Sequence, residues 1–499
     1  MLSIESWILR IELVGERSVL QGSLLRDSDI EPLADATLAI LERVGILCQN
    51  EELLHALDAA GARVDFAAQR VLFPRPVVTG FVDHLLGEAA SRPDYDAERP
   101  WQQAKGSGGP FSAIGLPDLE TQVAQFVLDP DTGERRSGNK ADLARLIQFG
   151  DALHGEAGVG HCLLLTDVPP LVEPLEAALL LAEHAHRPHA AFAWNVRQIP
   201  WLVEMGEVLG YRDWFNYGAI CFAHPLRFDR DVADRFAHKV KAGSPTGLTA
   251  MPVAGVTAPV TLAGFVAVAA AEHLATWMAA RALNPSVRLG GSMWGATVDM
   301  RGSGVSYCSF DAMLYSFATV EFLRRWCGVD VPVGGGEYCD AKAPGLYAAL
   351  EKAYKAMTIA AFSGRHPSIG SGLLDTGKVL SPVQLLIERD FTAGVRHFAR
   401  TVDPSPELLA LEEIADIGLG IDRSHLGTEH TLRHYRDSLW LSALLDRSGW
   451  AGPEYEARIL GKARERVADL RAAYRKPEID DRKLARLRAI VAKARRELL

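Results

Sequence analysis

The chain has 499 residues, 48% of them hydrophobic and 23% charged, with a mean hydropathy of +0.03 and a formal net charge of −10. That length suits one large domain with extensions or two to three domains, and the acidic balance argues against nucleic acid as the main partner. Six scattered cysteines without a CxxC pair leave neither zinc-finger spacing nor a disulfide framework, and they point to a reducing cytoplasm.

The first sixteen residues are apolar but interrupted by Glu5, Arg10 and Glu12, without a basic leader or cleavage site, so no signal peptide is expected. No uncharged apolar run approaches the ~18–20 residues of a membrane span. Ala34, Leu38, Leu41 and Val44 fall on one helix face, with Gly45 placed to end it. Residues 51–60 resume a helix closed by Gly61, and ARVDFAAQRVLFP (62–74) alternates like a hairpin. Residues 90–110 are polar and glycine-rich, as a linker would be. PDLETQVAQFVLDPDTGERRSG then reads as a hairpin around an Asp-Pro-Asp-Thr-Gly turn.

From residue 139 apolar runs alternate with helical stretches. The runs are 161–167, 189–195, 218–225, 247–255, 287–295, 331–337 and 367–374, with an eighth from 110–116 or the preceding hairpin. Their recurrence every ~25–45 residues is the period of a β/α unit, and seven or eight units favour a TIM (β/α)8 barrel over an open sheet. No GxGxxG follows an early strand, which disfavours the doubly wound alternative. The expected organisation is an N-terminal α/β extension (1–105), the barrel (106–405) and a C-terminal helical region (406–499). The tail 455–499 carries 14 Lys/Arg against 7 Asp/Glu. It reads either as a solvated helix pair or as a dock for an acidic partner.

In a barrel, function belongs at the carboxyl ends of the strands. Those ends hold Asp167, Trp194 and Asn195, His224, Pro252, Ser292 to Trp294, Glu337 and Tyr338, and 370–372. The stretch GGGEYCDAK (334–342) stands out. Gly334, Gly335 and Gly336 permit close approaches that side chains forbid, and polar chemistry follows at once. Trp194, Trp294 and Tyr338, with Tyr307 and Phe310 near in sequence, suit an aromatic cage for a quaternary ammonium, each face contributing ~0.5–2 kcal/mol. The same tryptophans would serve equally to cap a barrel core. His224 reads as an acid/base group, a carboxylate donor or a structural histidine. Asp167 reads as a cap of the helix after it or a substrate contact. Glu337, Asp340 and Lys342 either pair with one another or face a substrate, and Cys339 lacks an adjacent base that would make it a nucleophile. His425, His430 and His434 lie in SHLGTEHTLRHY, but HExxH is absent and no metal ligands are assigned.

Several segments together resemble the trimethylamine methyltransferase family. They are DATLAILERVGILCQNEELLHALDAAGARVDFAAQRVLFP, DPDTGERRSGNKADLARL, VTAPVTLAG, GGGEYCDAKAPGLYAALEKA, GSGLLDTGKVLSPVQLLIERD and HTLRHYRDSLWLSALLDR, in family order over roughly residues 30–450. The resemblance is weakest at DMRGSGVSYCSF. It implies a TIM barrel that moves a methyl group from a methylated amine to the cobalt of a corrinoid (cobalamin) held by a separate small protein. Trimethylamine-specific members carry pyrrolysine; all 499 positions here are standard residues. That matches the members acting on quaternary amines such as glycine betaine, whose nitrogen leaves as a neutral tertiary amine and needs no prior activation. The resemblance then makes Trp194, Trp294, Tyr338 and Phe310 candidates to hold the ammonium, and Glu337 and Asp340 a source of negative charge beside it. His224, Asn195, Ser292 and the amides of 334–336 become candidates for a substrate carboxylate. A cytoplasmic homo-oligomer is expected. The rival readings are a TIM-barrel methyltransferase with a folate acceptor and a barrel that binds betaines without catalysis.

Overall fold

The computed structural model describes residues 22–92, 116–119, 123–363, 369–397, 400, 402–450 and 452–499. The candidate strand 110–116, all but its last residue, and most of the 90–110 linker lie outside these. The expected α/β unit opens with the helix Asp27–Arg43, which buries Leu33, Leu38 and Leu41. Gly45 ends it at φ +65°, where a Cβ would sit 1.9 Å from the Val71 carbonyl oxygen, so only glycine fits. Arg63–Asp65 and Arg70–Leu72 form the hairpin that the alternation predicts. Strand Ile46–Cys48 pairs antiparallel with this hairpin and parallel with Arg227–Phe228. Its core, including Leu41 and Phe73, is continuous with Phe228, Phe265 and Trp277 of the body. The Asp-Pro-Asp-Thr-Gly hairpin is present as strands Phe126–Leu128 and Arg135–Ser137, with Asp129 accepting from the amides of Asp131 and Thr132.

The body is a run of parallel neighbours taken in chain order. Ala124 bridges Leu163, Val159 bridges Pro188, and Ala191–Phe192 pairs with Phe215–Asn216. The Thr249 amide donates to the Ile220 carbonyl, Thr246–Ala250 pairs with Leu289–Met293, and Met293 bridges Val333. The Gly370 amide donates to the Gly336 carbonyl, and Val379–Leu380 pairs in parallel with Phe126–Val127. Between the successive segments lie the expected helices Glu173–His184, Ile199–Leu209, Arg230–Lys241, Leu262–Leu283, Phe310–Cys327 and Leu346–Ser363. Three expectations change: 161–167 and 331–337 pair only through isolated bridges at Leu163 and Val333, and 218–225 is not a regular strand. Pro225 has no amide to donate, and ordered pairing falls on Phe215–Asn216 and Arg227–Phe228 at either side.

Among the described residues one helix, Leu262–Leu283, is long and apolar enough to cross a membrane. It instead lies inside the fold, with 78% of its apolar stretch buried. At the C-terminal end the helices Tyr455–Ala473 and Asp481–Leu498 bury Ile459, Val467, Leu487 and Ile490 in the core shared with Leu146, Leu181 and Leu202. Several tail charges are spent within the chain, on Arg471–Asp131, Lys476–Glu183 and Arg495–Glu176 at 2.7–2.9 Å. The helices Pro406–Leu409, Leu411–Ile417 and Glu429–Ser438 bury no residue.

Candidate active site

Three adjacent segments place the glycine loop. The Met293 amide donates to the Pro332 carbonyl at 2.9 Å, the Gly334 amide to the Met293 carbonyl at 3.1 Å, and the Trp294 amide to the Ala250 carbonyl at 2.7 Å. Trp294 thus leaves its strand beside 334–336. Its indole Nε1 donates to the Ser292 hydroxyl at 3.0 Å, which fixes the ring plane. A Cβ on Gly334 would lie 2.2 Å from the indole Cε2, so the ring rests directly on the glycine backbone. Tyr338 closes a second side, its ring 5.0 Å from Trp294 and 5.7 Å from Tyr307. Gly377 accommodates Tyr338 from behind, where a Cβ would fall 2.4 Å from the tyrosine Cε1. Burial, and then the charge of Glu337, push the Tyr338 hydroxyl well above its ordinary range, so it remains a neutral wall.

Beneath this wall lies a buried polar group of residues. Lys355 is 3% exposed. Its Nζ donates to the Tyr307 carbonyl and stands 2.6 Å from where a Gly335 Cβ would be. Burial lowers its pKa to about 8, while the negative charges of Glu337 and Asp340 act in the opposite sense. Glu351 accepts at Oε2 from the amides of Asp340 (2.9 Å) and Ala341 (3.0 Å), and its Oε1 faces the Cys308 thiol at 3.7 Å. Burial pushes that thiol up to about 12, so it is protonated. The Tyr354 hydroxyl donates to the Cys308 carbonyl at 2.7 Å and ties the segment 306–309 to the helix Leu346–Ser363.

Trp194 is held separately. Its Nε1 donates to Glu173 Oε2 at 3.2 Å, and its ring stacks on Phe192 at 5.2 Å. Glu173 Oε1 accepts from the Leu165 amide and from His161 Nε2, whose Nδ1 accepts in turn from the Phe192 amide. No ring contact among the described residues joins Trp194 to the Trp294–Tyr338–Tyr307 group. Gly218 lies against the Trp194 ring, where a Cβ would fall 3.1 Å from the indole Cζ3.

Other candidates are used by the fold. His224 Nδ1 donates to Glu272 at 2.8 Å and its Nε2 accepts from the Met251 amide at 3.0 Å, so neither nitrogen is left for acid/base work. Asn195 caps the turn Val196–Gln198 and donates to Asp231. Phe310 is 71% exposed and stacks on Tyr354, away from the other aromatic residues. Asp167 accepts from the Lys140 amide, capping the helix before it in sequence rather than the one after. Lys342 pairs with Asp375, not with Glu337 or Asp340, and the buried Cys339 thiol lies 3.5 Å from the Leu373 carbonyl. Gly370 makes room for Glu388, which accepts from the Gly372 amide and pairs with buried Lys352. His425 pairs with Glu413 in the exposed C-terminal helices, and the His430 and His434 rings lie tilted against each other at 4.6 Å, far along the chain from the aromatic wall.

Lys355, Glu351, Cys308, Glu173 and His161 were not singled out by sequence reading. For the first two a signal existed: Glu351, Lys352 and Lys355 fall at i, i+1 and i+4 of an otherwise apolar helix, where only one solvated face would be expected.

Comparison with known proteins places the chain in a family. The family model described as trimethylamine methyltransferase matches residues 14–498. A glycine betaine methyltransferase of Desulfitobacterium hafniense strain Y51 is 23% identical over 487 residues, covering 95% of this chain and 98% of its own. The trimethylamine methyltransferase MttB of D. hafniense strain DCB-2 is 22% identical, covering 89% and 87%. The Methanosarcina mazei enzyme MttB2 is 28% identical over 280 residues, about half of each chain. The protein is an enzyme of the methyltransferase class. It belongs to the trimethylamine methyltransferase family.

Proposed function

We propose that the chain transfers a methyl group from a glycine betaine-like quaternary amine to the cobalt of a corrinoid carried by a separate protein. The observation that carries this reading is the neutral aromatic wall of Trp294, Tyr338 and Tyr307 with the charge of Glu337 acting on it. Aromatic faces and negative charge stabilise a cation that has no proton to give, at ~0.5–2 kcal/mol per face. The Ser292 hydroxyl and the Gly334 backbone hold the indole rigidly, so little ordering is left to be lost on binding.

The chain's work is to bind the ammonium, align one methyl outward and exclude water, which is positioning and electrostatics rather than proton transfer. The committed nitrogens of His224 and His161 agree with that division. The corrinoid, when presented, supplies the nucleophile; as the methyl leaves, the C–N electron pair stays on nitrogen and a neutral tertiary amine departs. We further read the serial parallel segments as a closed (β/α)8 barrel with this wall at its catalytic face. A cytoplasmic homo-oligomer belongs to the same reading: Leu419, Ile421 and Leu426 are 93%, 82% and 84% exposed.

The test incubates the purified chain with cob(I)alamin and a panel of methylated amines, following the corrinoid's absorbance. Transfer from quaternary amines is expected. Transfer from trimethylamine alone, or from none while a folate acceptor works, overturns the reading.

A further inference from the structure

We propose that Cys308, Asp340 and Glu351 form a binding site for one divalent metal ion of the zinc class. The three residues come from separate elements: the segment after the hairpin strand Gly304–Ser306, the glycine loop, and the helix Leu346–Ser363. One ligand atom from each lies within 4.8 Å of the other two. Cys308 is fully buried and Glu351 is 5% exposed, so this is not a solvated acidic face.

The spacing is close to what coordination needs. Zinc bonds of about 2.3 Å to sulfur and about 2.1 Å to oxygen at tetrahedral angles separate the two ligands by about 3.6 Å. Cys308 Sγ and Glu351 Oε1 are 3.7 Å apart. A second observation points to a ligand independently. Asp340 Oδ1 is buried and makes no hydrogen bond among the described residues. Leaving a carboxylate oxygen so costs free energy that a bound cation would recover. Glu351, by contrast, has its Oε2 held by the amides of Asp340 and Ala341, which aims Oε1 at the thiol as a neighbouring ligand would be aimed.

The donor set selects the ion. A sulfur donor disfavours magnesium and calcium, and one sulfur with two oxygens suits zinc. Three protein ligands leave a fourth position for water or a substrate atom. The charges also balance. Binding releases the thiol proton to solvent, so thiolate, two carboxylates and the dication sum to −1, and the neighbouring Lys355 ammonium brings the assembly to neutrality. Tyr347, whose ionisation the Glu351 carboxylate opposes, and Tyr354 and Cys339, whose ionisation burial and then the charges of Glu351 and Asp340 oppose, are further titratable groups around the site.

The experiment strips the full-length protein with a chelator. It then titrates Zn2+ against a chromophoric indicator and Co2+ by absorption. The expected result is one zinc per chain and, with cobalt, a thiolate-to-metal charge-transfer band that Cys308→Ser abolishes. Asp340→Asn, which leaves the backbone amides of the loop on Glu351, is expected to weaken zinc binding at least tenfold with an unchanged circular dichroism spectrum. Glu351→Gln should do the same if it folds, and the asparagine variant decides if it does not. Three outcomes overturn the site: no zinc retained by the wild-type chain, equal retention by Cys308→Ser and Asp340→Asn, or loss confined to a His430→Ala/His434→Ala control.

Discussion

Trp294 and Lys355 both crowd the space where a Gly335 side chain would begin, one presenting an indole ring and the other a buried amine. Removing the indole deletes one cation–π face, worth about 1–2 kcal/mol in a desolvated site. Trp294→Ala is therefore expected to weaken apparent affinity for the best quaternary amine about 5- to 30-fold, read as KM or a direct Kd. Unchanged affinity would remove Trp294 from the cage. Lys355 supplies a pH test. Its ordinary pKa is about 10.4, and in the folded chain it is about 8. Between those values the unfolded chain holds the proton and the folded chain does not, so this group's contribution makes stability rise with pH across the window. Below about pH 8 both states are protonated and the whole burial cost is carried, at most about 3 kcal/mol. The wild-type protein should gain stability relative to Lys355→Met between about pH 8 and pH 10, measured by urea unfolding. Parallel pH profiles would mean that the lysine stays charged.

At the scale of elements, the glycine loop is a mould for side chains above and below it. Gly334→Ala drives a methyl into the indole, which Ser292 prevents from turning away. Its amine affinity should fall at least as far as that of Trp294→Ala, while the secondary structure, followed by circular dichroism, stays intact. The Lys352–Glu388 pair beside it is fully buried. Removing one partner, as in Lys352→Met, is expected to cost about 3–5 kcal/mol in denaturant unfolding because Glu388 keeps its charge without a cation. Much of this layer was legible in sequence. The triple glycine announced a close approach, and the expected helices from 173 to 363 were found because their apolar faces repeat at helical spacing. What escaped were contacts made across the chain. Phe310 looked like a pocket residue because Tyr307 lies three positions before it, yet the helix start turns it outward onto Tyr354. His224 looked reactive because nothing local in CFAHP revealed Glu272, 48 residues on, or the Met251 amide.

The whole molecule wraps its ends around its middle. Residues 27–92 share one core with the Leu262–Leu283 helix, and the two last helices share another with helices formed from residues 140–209. Truncation after residue 454 would uncover Leu146, Leu181 and Leu202 to water, take Lys476 and Arg488 from Glu183, and leave Glu176 with Lys140 alone. Such a chain is expected to be insoluble or to melt many degrees lower; a soluble product with the full-length melting temperature would show that the tail is an accessory. The sequence reading saw the tail's basic charge and weighed it as a dock or a solvated helix pair. It did not see the apolar stripe of Ile459, Val467, Leu487 and Ile490, which is sparse in each helix and becomes a face only when both are docked.

That closing embrace has a consequence for how the protein comes into being. Synthesis runs from the amino end at about 5–20 residues per second, so the helices of 140–209 emerge tens of seconds before the residues that cover them. During that interval the nascent chain presents an uncovered apolar flank at the ribosome. Until residues 455–499 dock, that flank is the surface on which two nascent chains would meet, so early collapse and aggregation compete there.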